Sequence, residues 1–230
     1  MKSLIALCGV MVACTEPGPK PTPPVVDDTR ATLAETCQRG EPTARADACV
    51  ALGELVAADR PSTPIAESWY ALGCQRGSLR GCGLLGGALL VRGEAVSAYP
   101  LLDRACGGGD AVGCFNLAWI LAAGQGGVAA DPARALTLYE AGCARGLGAA
   151  CQNRAWMSER GVSTKVDLHA AADWYGHGCQ AGSAASCTAL GLMTRDGRGV
   201  PADRLNARTL FAKACELGDP AACEAERSLP

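Results

Sequence analysis

The sequence predicts an all-α protein, an α/α solenoid winding as a right-handed superhelix, and three observations carry that expectation. Twelve cysteines between Cys37 and Cys223 fall into consecutive pairs, and Cys143, Cys179 and Cys215, which open the last three, lie 36 residues apart. A glycine stands three residues after the first cysteine of every pair: Gly40, Gly77, Gly109, Gly146, Gly182 and Gly218. The composition is 49% hydrophobic but only 4% aromatic, which suits closely packed Ala- and Leu-rich helices better than sheets. A period near 36 residues marks a helical repeat whose units must stack to bury their faces.

The N-terminus reads as export machinery. Lys2 precedes the mostly apolar run Ser3 to Ala13, which is too short to span a bilayer and fits a signal peptide over residues 1–13. Met11-Val12-Ala13-Cys14 resembles a bacterial lipobox, which would make Cys14 the lipidated residue of the mature chain. Residues 14–26, with Pro17, Pro19, Pro21, Pro23 and Pro24, should form an extended tether reaching on the order of 40 Å. The solenoid is expected over residues 27–230 as five to six repeats, opened by a helix over Val25 to Cys37 and closed by one over Pro220 to Arg227.

Within each repeat the helices are legible. Ala66, Ala98, Ala135, Ala171 and Ala207 stand eight residues before the first cysteine, and Tyr70, Leu102, Tyr139, Tyr175 and Phe211 stand four before it. Offsets of zero, four and eight share one helical face. Asp131, Asp167 and Asp203, with Ser62 in an earlier unit, sit twelve residues before the cysteine as N-caps. The glycine after this helix is the expected left-handed C-cap. A second helix follows the second cysteine, with Leu52, Leu85, Leu117, Arg154 and Leu190 at one position and Gly53, Gly86, Ala118, Ala155 and Gly191 at the next. Two stretches depart from the pattern: Cys37 to Cys49 is too long, and Cys82 to Cys106 is too short.

The Gly-x-Gly-Val loop at Gly197 to Val200, the Asp caps, the fixed Ala and the Tyr-x-x-x-Cys-x-x-Gly ending resemble Sel-type repeats, relatives of tetratricopeptide repeats. The Cys-x7-Cys spacing resembles the Helicobacter cysteine-rich proteins in particular. That resemblance covers about Thr29 to Glu226 and implies a disulfide clasp within each pair: Cys37/Cys49, Cys74/Cys82, Cys106/Cys114, Cys143/Cys151, Cys179/Cys187 and Cys215/Cys223. With Cys8 inside the signal and Cys14 carrying lipid, the remaining twelve of the 14 cysteines are an even number that can pair fully. Closing a nine-residue loop stabilises by roughly 2.5 kcal/mol in the chain-entropy model. Metal binding is the poorer reading. Zinc knuckles favour Cys-x2–4-Cys, and His169 and His177 are the only two histidines.

The resemblance also implies penicillin binding or weak β-lactamase activity as an alternative function. No Ser-x-x-Lys precedes Lys20, Lys165 or Lys213, and Gly-x-Ser-x-Gly, His-Glu-x-x-His and a phosphate-binding Gly-x-x-x-x-Gly-Lys are missing. No catalytic residue, metal or cofactor is therefore assigned. The charge balance, 21 basic against 23 acidic residues, leaves no footprint for nucleic acid, and contact with a membrane is expected only through the lipid anchor. The expected role is a non-enzymatic scaffold of the bacterial envelope or exterior that takes a protein or peptide ligand on its concave face. Asn116 and Trp119, repeated as Asn153 and Trp156, sit two and five residues after the second cysteine, facing away from the Leu and Gly positions. They are the candidate ligand-binding ladder, with the rival reading that the tryptophans pack between repeats.

Overall fold

The computed structural model describes residues 26–59 and 64–229, which hold twelve α-helices and no strand. Residues 1–25, with the signal segment, Cys14 and nearly all of the tether, lie outside them, as does Ser62. The chain divides into two compact units, Met1–Ile120 with Gly124–Ala129, and Leu121–Ala123 with Ala130–Pro230.

The first unit carries α1 (Val26–Arg39), α2 (Pro42–Asp59), α3 (Pro64–Gln75), α4 (Leu79–Val91), α5 (Ala95–Gly107) and α6 (Ala111–Ala123) up to Ile120. Helix α1 begins one residue inside the segment assigned to the tether. Disulfides join α1 to α2, α3 to α4 and α5 to α6, with Cα–Cα separations of 4.9, 4.5 and 4.4 Å. The long spacing of the first pair is absorbed as helix. Helix α2 starts seven residues before Cys49, whereas α4 and α6 start three residues before theirs. Four added residues make about one turn, so Cys49 returns to the same face.

The second unit carries α7 (Pro132–Ala144), α8 (Gly148–Arg160), α9 (Leu168–Gln180), α10 (Ala184–Asp196), α11 (Arg204–Glu216) and α12 (Pro220–Ser228). Cys143–Cys151, Cys179–Cys187 and Cys215–Cys223 join them pairwise. Asp131, Asp167 and Asp203 accept the N–H of Arg134, Ala170 and Asn206 at 2.9 to 3.0 Å, so each is a working N-cap.

Both units pack a ring or Leu at the position four before the cysteine against a small residue of the preceding helix. A Cβ on Gly53 would stand 2.6 Å from Tyr70 Cε1, one on Gly86 2.5 Å from Leu102 Cδ2, and one on Gly191 2.7 Å from Phe211 Cε1. At each of these places an added methyl group would press into the seated side chain, which would have to shift. Around Phe211 the core gathers Cys179, Cys187, Ala207, Ala214 and Ala222; around Tyr175 it gathers Ala155, Ala171, Ala172 and Met193. Five of the six register glycines adopt the left-handed conformation, with φ from 84° to 100°. Gly40 does not. It precedes the extra turn of α2, so the chain re-enters helix without the turn that the other five close.

Candidate functional site

The face of α8 shows what the sequence-assigned ladder does in the fold. Asn153, Trp156 and Arg160 lie at i, i+3 and i+7, so they share one side of the helix. They are not equally open. Asn153 is only 5% exposed, and its carboxamide faces the Tyr139 hydroxyl on α7. Burial pushes that phenol well above its usual pKa, and the Asn153 N–H opposes the rise. Asn153 is therefore a packing partner across the Cys143–Cys151 turn, which corrects the expectation that its amide faces outward. Asn116 in α6 is 6% exposed and lies against α4, where a Cβ on Gly87 would meet its Nδ2 at 3.1 Å.

The tryptophans are half-buried, so each keeps part of its ring in contact with solvent. Trp119 turns its Nε1 inward, where it finds no acceptor among the described residues. The Trp156 ring has the Arg160 guanidinium 5.9 Å from its centroid. Among the described residues Arg160 has no carboxylate partner, unlike Arg154 with Glu140, Arg195 with Asp196 and Arg198 with Glu159. Leu192, 36% exposed, lies five residues after Cys187 on α10, the register position of Trp119 and Trp156. The sequence reading passed over both Leu192 and Arg160. The repeat register points to the first, and one helical turn beyond Trp156 points to the second.

A second polar cluster is structural. Arg154 occupies a position that holds Leu in four other units, at Leu52, Leu85, Leu117 and Leu190. Its Nε bonds Glu140 Oε1 at 2.8 Å, its Nη1 bonds the Ser158 hydroxyl, and its guanidinium lies 5.1 Å from the Trp174 ring centroid. Nearby, the Tyr175 hydroxyl donates to Glu159 at 3.1 Å while Arg198 donates to the same carboxylate at 2.7 Å. Burial and then the Glu159 charge push the Tyr175 phenol up. Every charge in this network is paired inside the protein.

Three consecutive matches to the Sel1 repeat family cover residues 111–147, 148–183 and 184–219. Residues 111–219 are Sel1 repeats. Each begins on the helix that carries the second cysteine, α6, α8 or α10, and ends in the turn after the following helix. The Sel1 fold extends over most of the chain. A Sel1 repeat protein from Oxalobacter formigenes is 20% identical, with 86% of this chain and 83% of that one covered at a TM-score of 0.74. A protective antigen of uropathogenic Escherichia coli with an SLR fold is 18% identical at a TM-score of 0.68, over 87% of this chain and 48% of that one. Helicobacter pylori cysteine rich protein B is 25% identical over 56% of this chain and 92% of that one, at a TM-score of 0.47. No curated protein matches the chain in sequence.

The six disulfides fit an oxidising, extracytoplasmic compartment. Among the described residues no helix is long and apolar enough to cross a membrane, and no three His, Cys, Asp or Glu side chains are grouped to hold a metal ion.

Proposed function

We propose that the protein is a non-enzymatic scaffold of the bacterial envelope or exterior that binds a protein or peptide partner through its Sel1 repeats. Repeats of this kind generally mediate protein–protein interaction. The observation that carries the reading to particular residues lies on α8 and α10. Trp156 and Leu192 hold the same register position there and are partly open, and Trp156 has the uncompensated Arg160 beside it. A partly exposed indole next to a free guanidinium is a strong anchor for an apolar side chain with a neighbouring carboxylate. Trp119 holds the equivalent position in α6, while Asn116 and Asn153 are buried.

Trp156→Ala combined with Leu192→Ser tests this reading. Partners retained from envelope extract by the wild-type protein should be lost by the variant, with an unchanged thermal midpoint. Retained partners, or a midpoint lowered by many degrees, would mean that these side chains serve packing. Export with a lipid on Cys14 belongs to the same proposal; Cys14→Ser should move the protein from the membrane fraction to the soluble fraction.

A further inference from the structure

The first disulfide has a neighbour that the other five lack. Arg76, just past the end of α3, donates through Nη1 to the carbonyl oxygen of Cys37, and the same nitrogen stands 3.0 Å from Cys49 Sγ and 3.3 Å from Cys37 Sγ. Among the described residues this half-buried guanidinium has no carboxylate partner. Its acceptors are one carbonyl and two neutral sulfurs. At Cys82, Cys114, Cys187 and Cys223 the polar neighbour of the sulfur among the described residues is a backbone carbonyl, with no cation beside it. A partly desolvated cation with no counter-charge is stabilised by any anion formed beside it, and a thiolate in that place is such an anion.

The helix on the far side of this clasp is weakly held. Among the described side chains of α1, Cys37 alone is fully buried; Arg30, Leu33, Ala34 and Thr36 are half-buried and the others are exposed. An ion pair of Arg30 with Asp59 and the packing of Leu33 beside Cys37, Ala48 and Cys49 are among its further ties to α2. Both sulfurs are enclosed, so exchange requires α1 to lift.

We infer that Cys37–Cys49, with Arg76, is a redox-active disulfide that accepts two electrons from a dithiol, whereas the other five are structural. A thiolate of the dithiol attacks Cys37 Sγ, and the Sγ–Sγ bond breaks. Cys49 Sγ, the sulfur nearer to Arg76, leaves as a thiolate paired with the guanidinium. The second thiol of the reductant loses its proton to solvent and attacks its own sulfur in the mixed disulfide. The reductant departs as an oxidised disulfide, and Cys37 takes up a proton to become a thiol. Two electrons have passed to the protein, α1 is no longer tied to α2, and reoxidation reverses each step.

The test equilibrates the full chain with reduced and oxidised dithiothreitol over a range of ratios. It quenches with acid and alkylating agent and reads each cysteine pair by peptide mass spectrometry. Cys37–Cys49 is expected to open at a lower reduced-to-oxidised ratio than any other pair. Arg76→Gln, which keeps an N–H donor but removes the charge, should shift its midpoint about tenfold or more toward the reduced reagent. The Cys179–Cys187 midpoint should stay where it is, and Arg76→Lys should recover part of the shift. If another pair opens first in the wild-type protein, the inference fails, and this readout needs no variant to fold. It also fails if Arg76→Gln leaves the midpoint unchanged or moves all six pairs together.

Discussion

The two units join their helices differently. In the second unit each disulfide spans eight residues, and each long loop ends in an Asp that caps the next helix. In the first unit one joint is longer and one is shorter. Cys37 and Cys49 are twelve residues apart, with a full extra turn on α2. Helices α4 and α5 are linked only by Arg92, Gly93 and Glu94, with no side-chain cap on α5 and with Arg92 paired to Glu67 and Glu94 instead. What both units keep is the clasp and the ring or Leu seated on a small residue. Helical phase and core seating are thus the fixed quantities, while loop length and capping are free to vary.

The largest expected effect breaks the phase. Removing Thr43 and Ala44 from α2 rotates the rest of the helix by more than half a turn, so Cys49 turns away from Cys37. The variant should show two additional titratable thiols and lose more than the roughly 3 kcal/mol a clasp of this size contributes. Removing Thr43 to Ala46, four residues, should leave the clasp oxidised. Denaturant unfolding with thiol counting separates the two outcomes.

Seating comes next. Gly191→Ala drives a methyl group into Phe211, which is fully buried, and should cost about 1–3 kcal/mol. Gly53→Ala meets Tyr70 just as closely, but Tyr70 retains some exposure and room to move. Its smaller loss, read by thermal unfolding, would show that the second unit is the more tightly determined. Capping should matter less. Asp203→Ala is expected to cost about 1 kcal/mol, whereas Glu94→Ala, where no cap bond exists, should stay within about 0.5 kcal/mol.

The smallest effect is a pH dependence confined to the first unit. Asp110 caps α6 and accepts from Gly113 at 2.6 Å, yet burial raises its carboxyl pKa against the opposing pull of that N–H and of Arg80. A carboxyl raised in the folded state makes folding less favourable above that value, and stability recovers as pH falls toward the unfolded-state pKa. Asp110→Asn should therefore be slightly more stable than wild type at neutral pH, by under about 0.5 kcal/mol given its exposure. The gap should close on acidification. A gap that widens would reverse the assignment.

The sequence carried the repeat, the clasps, the Asp caps and the closing helix because each recurs at a fixed distance along the chain. Asn116 and Asn153 were misread for a reason rooted in stacking. Periodicity separates the Leu side of a helix from its opposite side, but a helix inside a stack has neighbours on more than one side. For Asn153 that neighbour is Tyr139, across the clasped turn. The contact of Arg76 with Cys37 and Cys49 spans 39 and 27 residues and recurs nowhere. No spacing rule could announce it, and Gly40 departed from its register for the same local reason that lengthened α2.

Among the described residues every disulfide joins cysteines that follow one another along the chain, and none encloses a third. For a polypeptide emerging N-terminus first into an oxidising space, this removes the usual sorting problem of cysteine-rich proteins. Each sulfur finds its mate within eight or twelve residues, so closure is fast and its entropic cost small. Covalent maturation can then proceed vectorially, one helical pair at a time, with little for a disulfide isomerase to correct.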